Sequence, residues 1–327
     1  MKSLSIGEAF LFHRALVFDI FVSKSIRMKK YLCFLFFVGS ISYTDAQSNL
    51  LETKVKQLTP NTVWVKKQAT TLKFPTFHPQ GMVKINDFFF MSSVEVTKAP
   101  KNGDTGEGIG HLFKFDSTGT LISKITLGEG SIYHPGGIDF DGKYIWVPVA
   151  EYRPNSKSII YKIDAQTLKI EEVIRFNEHI GAIVHDTESH KLLGASWGSR
   201  NFYEWKLNTN GKNTTTKSAE ELRIKNASFY IDYQDCHYLG NNQMLCSGFQ
   251  KYTQPNGNVV RLGGFEIINL VDKRPVFQVP IKLWSPSGLA ITNNPFWVEL
   301  SSKGLTAYFV PDDDSASTLF IYETELK

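Results

Sequence analysis

The stretch His134-Pro-Gly-Gly-Ile-Asp-Phe-Asp-Gly-Lys-Tyr-Ile-Trp-Val-Pro-Val-Ala-Glu151, continued by Ser158-Ile-Ile-Tyr-Lys-Ile-Asp164 and Leu168-Lys-Ile-Glu-Glu-Val-Ile-Arg-Phe176, reads as four short strands. Each run is rich in β-branched and aromatic residues and is bounded by turn formers such as Asp141-Gly142. Weaker copies recur along most of the chain. One opens at His78-Pro-Gln-Gly81 and ends at Leu127, and another opens at His179-Ile-Gly-Ala182. A more eroded copy runs from Asp232 to Ile281, and a fifth opens at Ser285-Pro-Ser-Gly288 and runs to Glu323.

Four-strand repeats of roughly 45 to 56 residues predict an all-β fold, a β-propeller. A single blade leaves both faces of its sheet bare, so blades must stack into a closed ring. The count is five four-stranded blades, with six as the alternative if the insertion around Phe296 or the 208–230 region hides another. The fifth copy ends one strand short, and Thr62 to Phe74 is a strand-like run with no repeat of its own. The two are expected to join, so that the N-terminal strand closes the ring and removes an exposed edge.

Twenty-four glycines, 13 prolines and 13 % aromatics suit many short strands and tight turns. The formal charge of +4 is concentrated at the start: residues 1–46 hold six Lys/Arg against three Asp/Glu, leaving 30 against 29 in the remainder. That balance offers no case for a nucleic-acid partner. Met28 to Ala46 has a basic start, an apolar run of about a dozen residues and small residues before Gln47, which is the pattern of a secretory signal. The run is shorter than the roughly 20 residues a membrane span needs, so no stable span is expected in the mature chain. The organisation is therefore an upstream extension at 1–27, a signal peptide at 28–46, a polar linker at 47–60 and one propeller domain at 61–327, in a periplasmic or secreted protein. Export leaves two cysteines, Cys236 and Cys246, on neighbouring strands of one predicted hairpin. A disulfide there stays open, because a slip of one residue puts them on opposite faces.

The tetrapeptides His78-Pro-Gln-Gly81, His134-Pro-Gly-Gly137 and His179-Ile-Gly-Ala182 resemble those of the six-bladed propellers related to NHL repeats, strictosidine synthase and the gluconolactonase group. The chain also resembles secreted bacterial propeller proteins of unassigned function. The gluconolactonase resemblance implies a divalent metal held in the channel by Glu, Asn and Asp. Those ligands have no one-to-one counterpart here, so that activity is not carried over.

In a blade the start of the first strand and the end of the second lie on the same face. Glu95 follows His78 by 17 residues and Glu151 follows His134 by 17, so both pairs are expected at one mouth of the channel. In the next two blades the pair becomes His179 with Ser196 or Trp197, and Asp232 with Gln250. The fifth offers Ser285 and the acidic run Asp312 to Asp314. Trp197-Gly-Ser-Arg200 interrupts the pattern on the same face, where an aromatic plate and a guanidinium could hold a sugar or a carboxylate.

Two readings compete for these residues. A residue repeated in several blades can be there because each blade needs it to shape or cap a turn. Alternatively, His78, His134 and His179 converge on the axis with carboxylates beside two of them, and hold a divalent metal or move protons. The second reading makes this a small-molecule or carbohydrate binder, with lactone or ester hydrolysis or a lyase reaction as its chemistry. The rival is a non-catalytic interaction or carbohydrate-binding propeller; an interaction scaffold would have a mouth plugged by side chains.

Overall fold

Among the described residues, twenty-one strands form five antiparallel sheets, each running outward from an inner strand. The computed structural model describes residues 49–326 apart from 102 and 314–316, and residues 50–327 make up one unit. The expected upstream extension and signal peptide lie outside the described residues.

Blade I holds β2 (His78–Ile85), β3 (Phe88–Lys98), β4 (Glu107–Asp116) and β5 (Leu121–Leu127). In blade II the inner strand comes in two pieces, β6 (Ile132–Pro135) and β7 (Asp139–Phe140), and both pair with β8 (Tyr144–Glu151). β9 (Ser158–Asp164) and β10 (Ile170–Phe176) complete it. Blade III holds β11 (Ile180–Asp186), β12 (Lys191–Ser196), β13 (Asn201–Lys206) and a two-residue β14 (Ile224–Lys225). Blade IV holds β15 (Asp232–Gly240), β16 (Gln243–Thr253), β17 (Val259–Asn269) and β18 (Arg274–Ile281).

Blade V runs from β19 (Phe296–Leu300) through β20 (Gly304–Phe309) and β21 (Thr318–Glu325) to β1 (Val65–Thr71). The first strand of the chain is thus the outermost strand of the last blade, with Val65 opposite Glu323 and Thr71 opposite Thr318. The ring has five blades. The Phe296 segment, expected as an insertion, is the inner strand of blade V. Ser285–Gly288 forms a turn ahead of it, closed by Gly288 N–H to Ser285 O.

The polar linker expected at 47–60 is not what the fold uses. Residues 49–56 are helical, and Val55 and Leu58 are buried against blades IV and V. Two apolar residues at helical spacing in an otherwise polar stretch suffice to dock it. Cys236 and Cys246 stand directly opposite each other on β15 and β16 and are joined by a disulfide, both buried.

The axis is closed by carboxylates rather than left open. Asp235 Oδ2 accepts the backbone N–H of Met82 at 2.9 Å and of Phe296 at 3.5 Å. Its Oδ1 accepts those of Ile138 at 2.9 Å and Cys236 at 3.1 Å. Asp139 takes the N–H of His185 at 2.9 Å and of Tyr238 at 3.3 Å. His237 lies beside both and donates Nε2–H to Phe296 O at 3.0 Å. Burial pushes the Asp235 carboxyl up to about 7, against the pull of His237 and the N–H donors. Gly137 is required at this crossing, since a Cβ there would stand 2.8 Å from Asp235 Cα.

Candidate functional site

At the mouth where the inner strands begin, a cavity of about 370 Å³ is lined by His78, His134, His179, Trp197, Asp232 and Gln250. These are six of the nine residues expected there. Gln80, Gln234 and Tyr152 line it too, and the sequence did not single them out.

One local device builds this mouth. The pairing of inner strand with second strand slips by one residue near its start in four blades, between Pro79 and Gly81, Ile132 and His134, Ile180 and Ala182, and Tyr233 and Asp235. Such a bulge re-aims the residue it skips. In blades I, III and IV the skipped residues are Gln80, Gly181 and Gln234, and all three face the cavity.

A one-residue offset separates the expected His–Glu pairs, introduced by the Pro79/Gly81 slip in blade I and by the break between β6 and β7 in blade II. His78 stands opposite Val94 and His134 opposite Ala150, so Glu95 and Glu151 fall one residue further and turn to the other face. Glu95 meets His111 Nε2 at 3.1 Å. Glu151 is buried, accepts Ser131 Oγ at 2.7 Å and pairs with Arg153 at 3.1 Å. Neither carboxylate lines the cavity. Arg200 also stays outside it: its guanidinium covers the Phe229 ring at 4.5 Å and pairs with Asp232 at 2.7 Å, holding that wall in place.

The three histidines form a row. The His134 ring centre lies 6.2 Å from that of His78 and 6.1 Å from that of His179. Among the described residues no group of three or more His, Cys, Asp or Glu is placed to hold a metal ion, and the row does not draw its imidazoles around one point. Each ring has a different setting. His78 donates Nδ1–H to Asp313 Oδ1 at 2.6 Å, and Asn294 Nδ2 donates to the same oxygen at 2.7 Å. Burial raises the Asp313 carboxyl, but the bonds from His78 and Asn294 outweigh it and leave it below its ordinary value. His179 donates Nδ1–H to Glu151 O at 2.9 Å, and burial lowers its pKa to about 4.

His134, between them, is only 6 % exposed, and neither of its ring nitrogens has a hydrogen-bond partner. Burial, with His179 and His78 on either side, lowers its pKa well below the ordinary value. Tyr152 packs on the His134 ring at 4.2 Å, and Trp197 meets the His179 ring edge-on at 4.8 Å. Trp197 keeps 40 % of its surface exposed at the entrance. The carboxylate of Asp232, the amides of Gln80, Gln234 and Gln250, and Lys251 complete the lining. Burial raises the Asp232 carboxyl against the pull of Arg200 and Lys251. The cavity therefore offers aromatic plates, amides, one carboxylate, one ammonium and three imidazoles.

Fold and site together define a five-bladed β-propeller with a histidine- and aromatic-lined cavity at one mouth of a closed axis. The chain matches the model of DUF6454, a family of unknown function, over residues 40–327, and belongs to that family. None of the curated proteins matches it. Solved structures share parts of the architecture. A luciferin-regenerating enzyme is 8 % identical, with a TM-score of 0.43 over 79 % of this chain and 97 % of its own. A mannose phosphorylase from Leishmania mexicana is 10 % identical, with a TM-score of 0.49 over 79 % and 88 %. An α-L-arabinofuranosidase from Clostridium thermocellum is 12 % identical, with a TM-score of 0.42 over 71 % and 81 %. At such distances the likeness is one of fold. Among the described residues no helix is long and apolar enough to cross a membrane.

Proposed function

We propose that the cavity binds a small, hydroxyl-rich ring compound, a saccharide or a sugar acid or its lactone, in a protein exported by the segment 28–46. The observation that carries this is His134. A buried imidazole with both nitrogens unpartnered costs stability, and a ligand that offers it a hydroxyl removes that cost. Trp197 and Tyr152 supply faces for a sugar ring, and Asp232 with the three glutamines supplies acceptors and donors for its hydroxyls. An interaction scaffold with a plugged mouth would lack such a polar cavity.

The test is calorimetric titration with gluconate, glucono-lactone and neutral monosaccharides, on the wild type and on His134→Phe. Saturable binding to the wild type and at least about tenfold weaker binding to the variant is the expected result. Wild type that binds none of them, or a variant that binds as well, overturns the reading.

The His78–Asp313–Asn294 chain favours hydrolysis as the chemistry. With Nδ1–H held by Asp313, the imidazole form of the His78 ring has its lone pair on Nε2, in a residue that lines the cavity. It can take a proton from a water whose oxygen bonds to a lactone carbonyl carbon. Returning that proton to the departing ring oxygen as the C–O bond breaks yields the hydroxy acid.

A further inference from the structure

A second cleft, of about 670 Å³, opens at the opposite end of blades II and III. The histidine cavity sits where β11 begins and β12 ends; this cleft sits at the β11–β12 turn, beside His185 and His190, and is closed by the loop 208–212.

His185 donates Nδ1–H to Asp141 Oδ2 at 2.8 Å. The same carboxylate accepts Trp146 Nε1–H at 2.7 Å and the backbone N–H groups of Lys143 and Tyr144 at 2.9 and 2.7 Å. Burial raises its pKa, but these donors outweigh burial and hold it ionised. Nε2 of His185, on the other side of the ring, is buried and has no partner. Lys162 lines the same cleft with a side chain only 4 % exposed. Its ammonium meets Asn210 O at 3.0 Å and Glu171 at 3.2 Å, two oxygens for three hydrogens. Lys143 and Lys212 add charge at the rim, while both carboxylates of the cleft are already engaged.

A plainer role exists for His185, which packs on the Trp146 ring at 4.9 Å and buttresses it. That role accounts for Nδ1. It does not account for a buried, unpartnered Nε2 on a residue that lines a lysine-bearing cleft.

We propose that this cleft binds the anionic group, carboxylate or phosphate, of a second small molecule, with His185 Nε2–H and the Lys162 ammonium donating to it. Donation from Nε2 while Nδ1–H is held by Asp141 requires a proton on each ring nitrogen, and the Asp141 carboxylate lies behind the ring as the countercharge for that form.

The experiment titrates the mature chain with inorganic phosphate and, separately, with glucuronate, following the imidazole ¹⁵N and ¹H resonances. Saturable shifts of His185 with either probe support the proposal, and the probe that gives them identifies the anion. His185→Phe and Lys162→Met should each weaken that binding by about tenfold. Lys212→Glu, at an exposed position, should weaken it severalfold with no change in melting temperature, which covers the case in which a buried variant fails to fold. His134→Phe should leave phosphate binding untouched, so failure here and failure at the first cavity are separable. Wild type that saturates with neither probe, or binding that ignores all three cleft substitutions, overturns it.

Discussion

Backbone N–H groups from four blades end on one side chain, Asp235: Met82 from blade I, Ile138 from blade II, Cys236 from its own blade and Phe296 from blade V. Without this carboxylate those buried donors lose the acceptor they share. Asp235→Ala should therefore lower the unfolding free energy by roughly 3–5 kcal/mol, read from urea denaturation. A loss below about 1 kcal/mol would mean that water fills the role. The sequence showed Asp235 only as one acid on a first strand. Residue by residue, what was legible at the mouth was the repeated element: His78, His134 and His179, with Trp197, Asp232 and Gln250 as its variants. Glu95 and Glu151 were misplaced because a 17-residue spacing pairs them with the histidines only in an unbroken ladder. The Pro79/Gly81 bulge and the break between β6 and β7 shift the partners to Val94 and Ala150. Gln80 and Gln234 were missed for the same reason, since strand alternation alone does not show which residue a bulge throws outward.

The closing strand β1 is held in an uneven way. Along Val65–Thr71 only Thr70 is even partly buried, so the strand itself is fixed by its ladder to β21. Its anchors are its neighbours: Leu72 and Phe74 enter the core beyond it, and Val55 and Leu58 enter the core before it. Leu72→Ala should cost roughly 2–5 kcal/mol. Lys67→Ala, on the strand and half exposed with a surface ion pair to Glu323, should cost under about 1 kcal/mol. Thermal and urea melts of the two variants check this, and comparable losses would show the strand rather than its flanks to be the clasp. This element was readable from the sequence because a lone strand at one end and a missing one at the other are complementary facts. The helix at 49–56 was not readable, since two buried residues in a polar stretch give little periodicity.

Across the whole molecule, stability should depend on pH through buried histidines of opposite sign. His134 and His179 bind a proton more weakly folded than unfolded, His179 only near pH 4 against an ordinary 6.5. The unfolded chain then holds the extra proton, so their contribution is present above 6.5 and is lost as pH falls from 6.5 towards 4. Asp235 and His237 act in the reverse sense, because both hold a proton more readily when folded. The His179 part is isolated by comparison with His179→Asn, which should lose roughly 2 kcal/mol less than the wild type between pH 6.5 and pH 5. Parallel pH profiles for the two proteins would rule this out. None of these signs follows from the sequence, since they depend on which histidines the ring seals from water.

Because inner-strand backbones meet at Asp235 and Asp139, the propeller works as a vessel with one door. What enters past Trp197 meets that knot of hydrogen bonds and leaves by the side it came from.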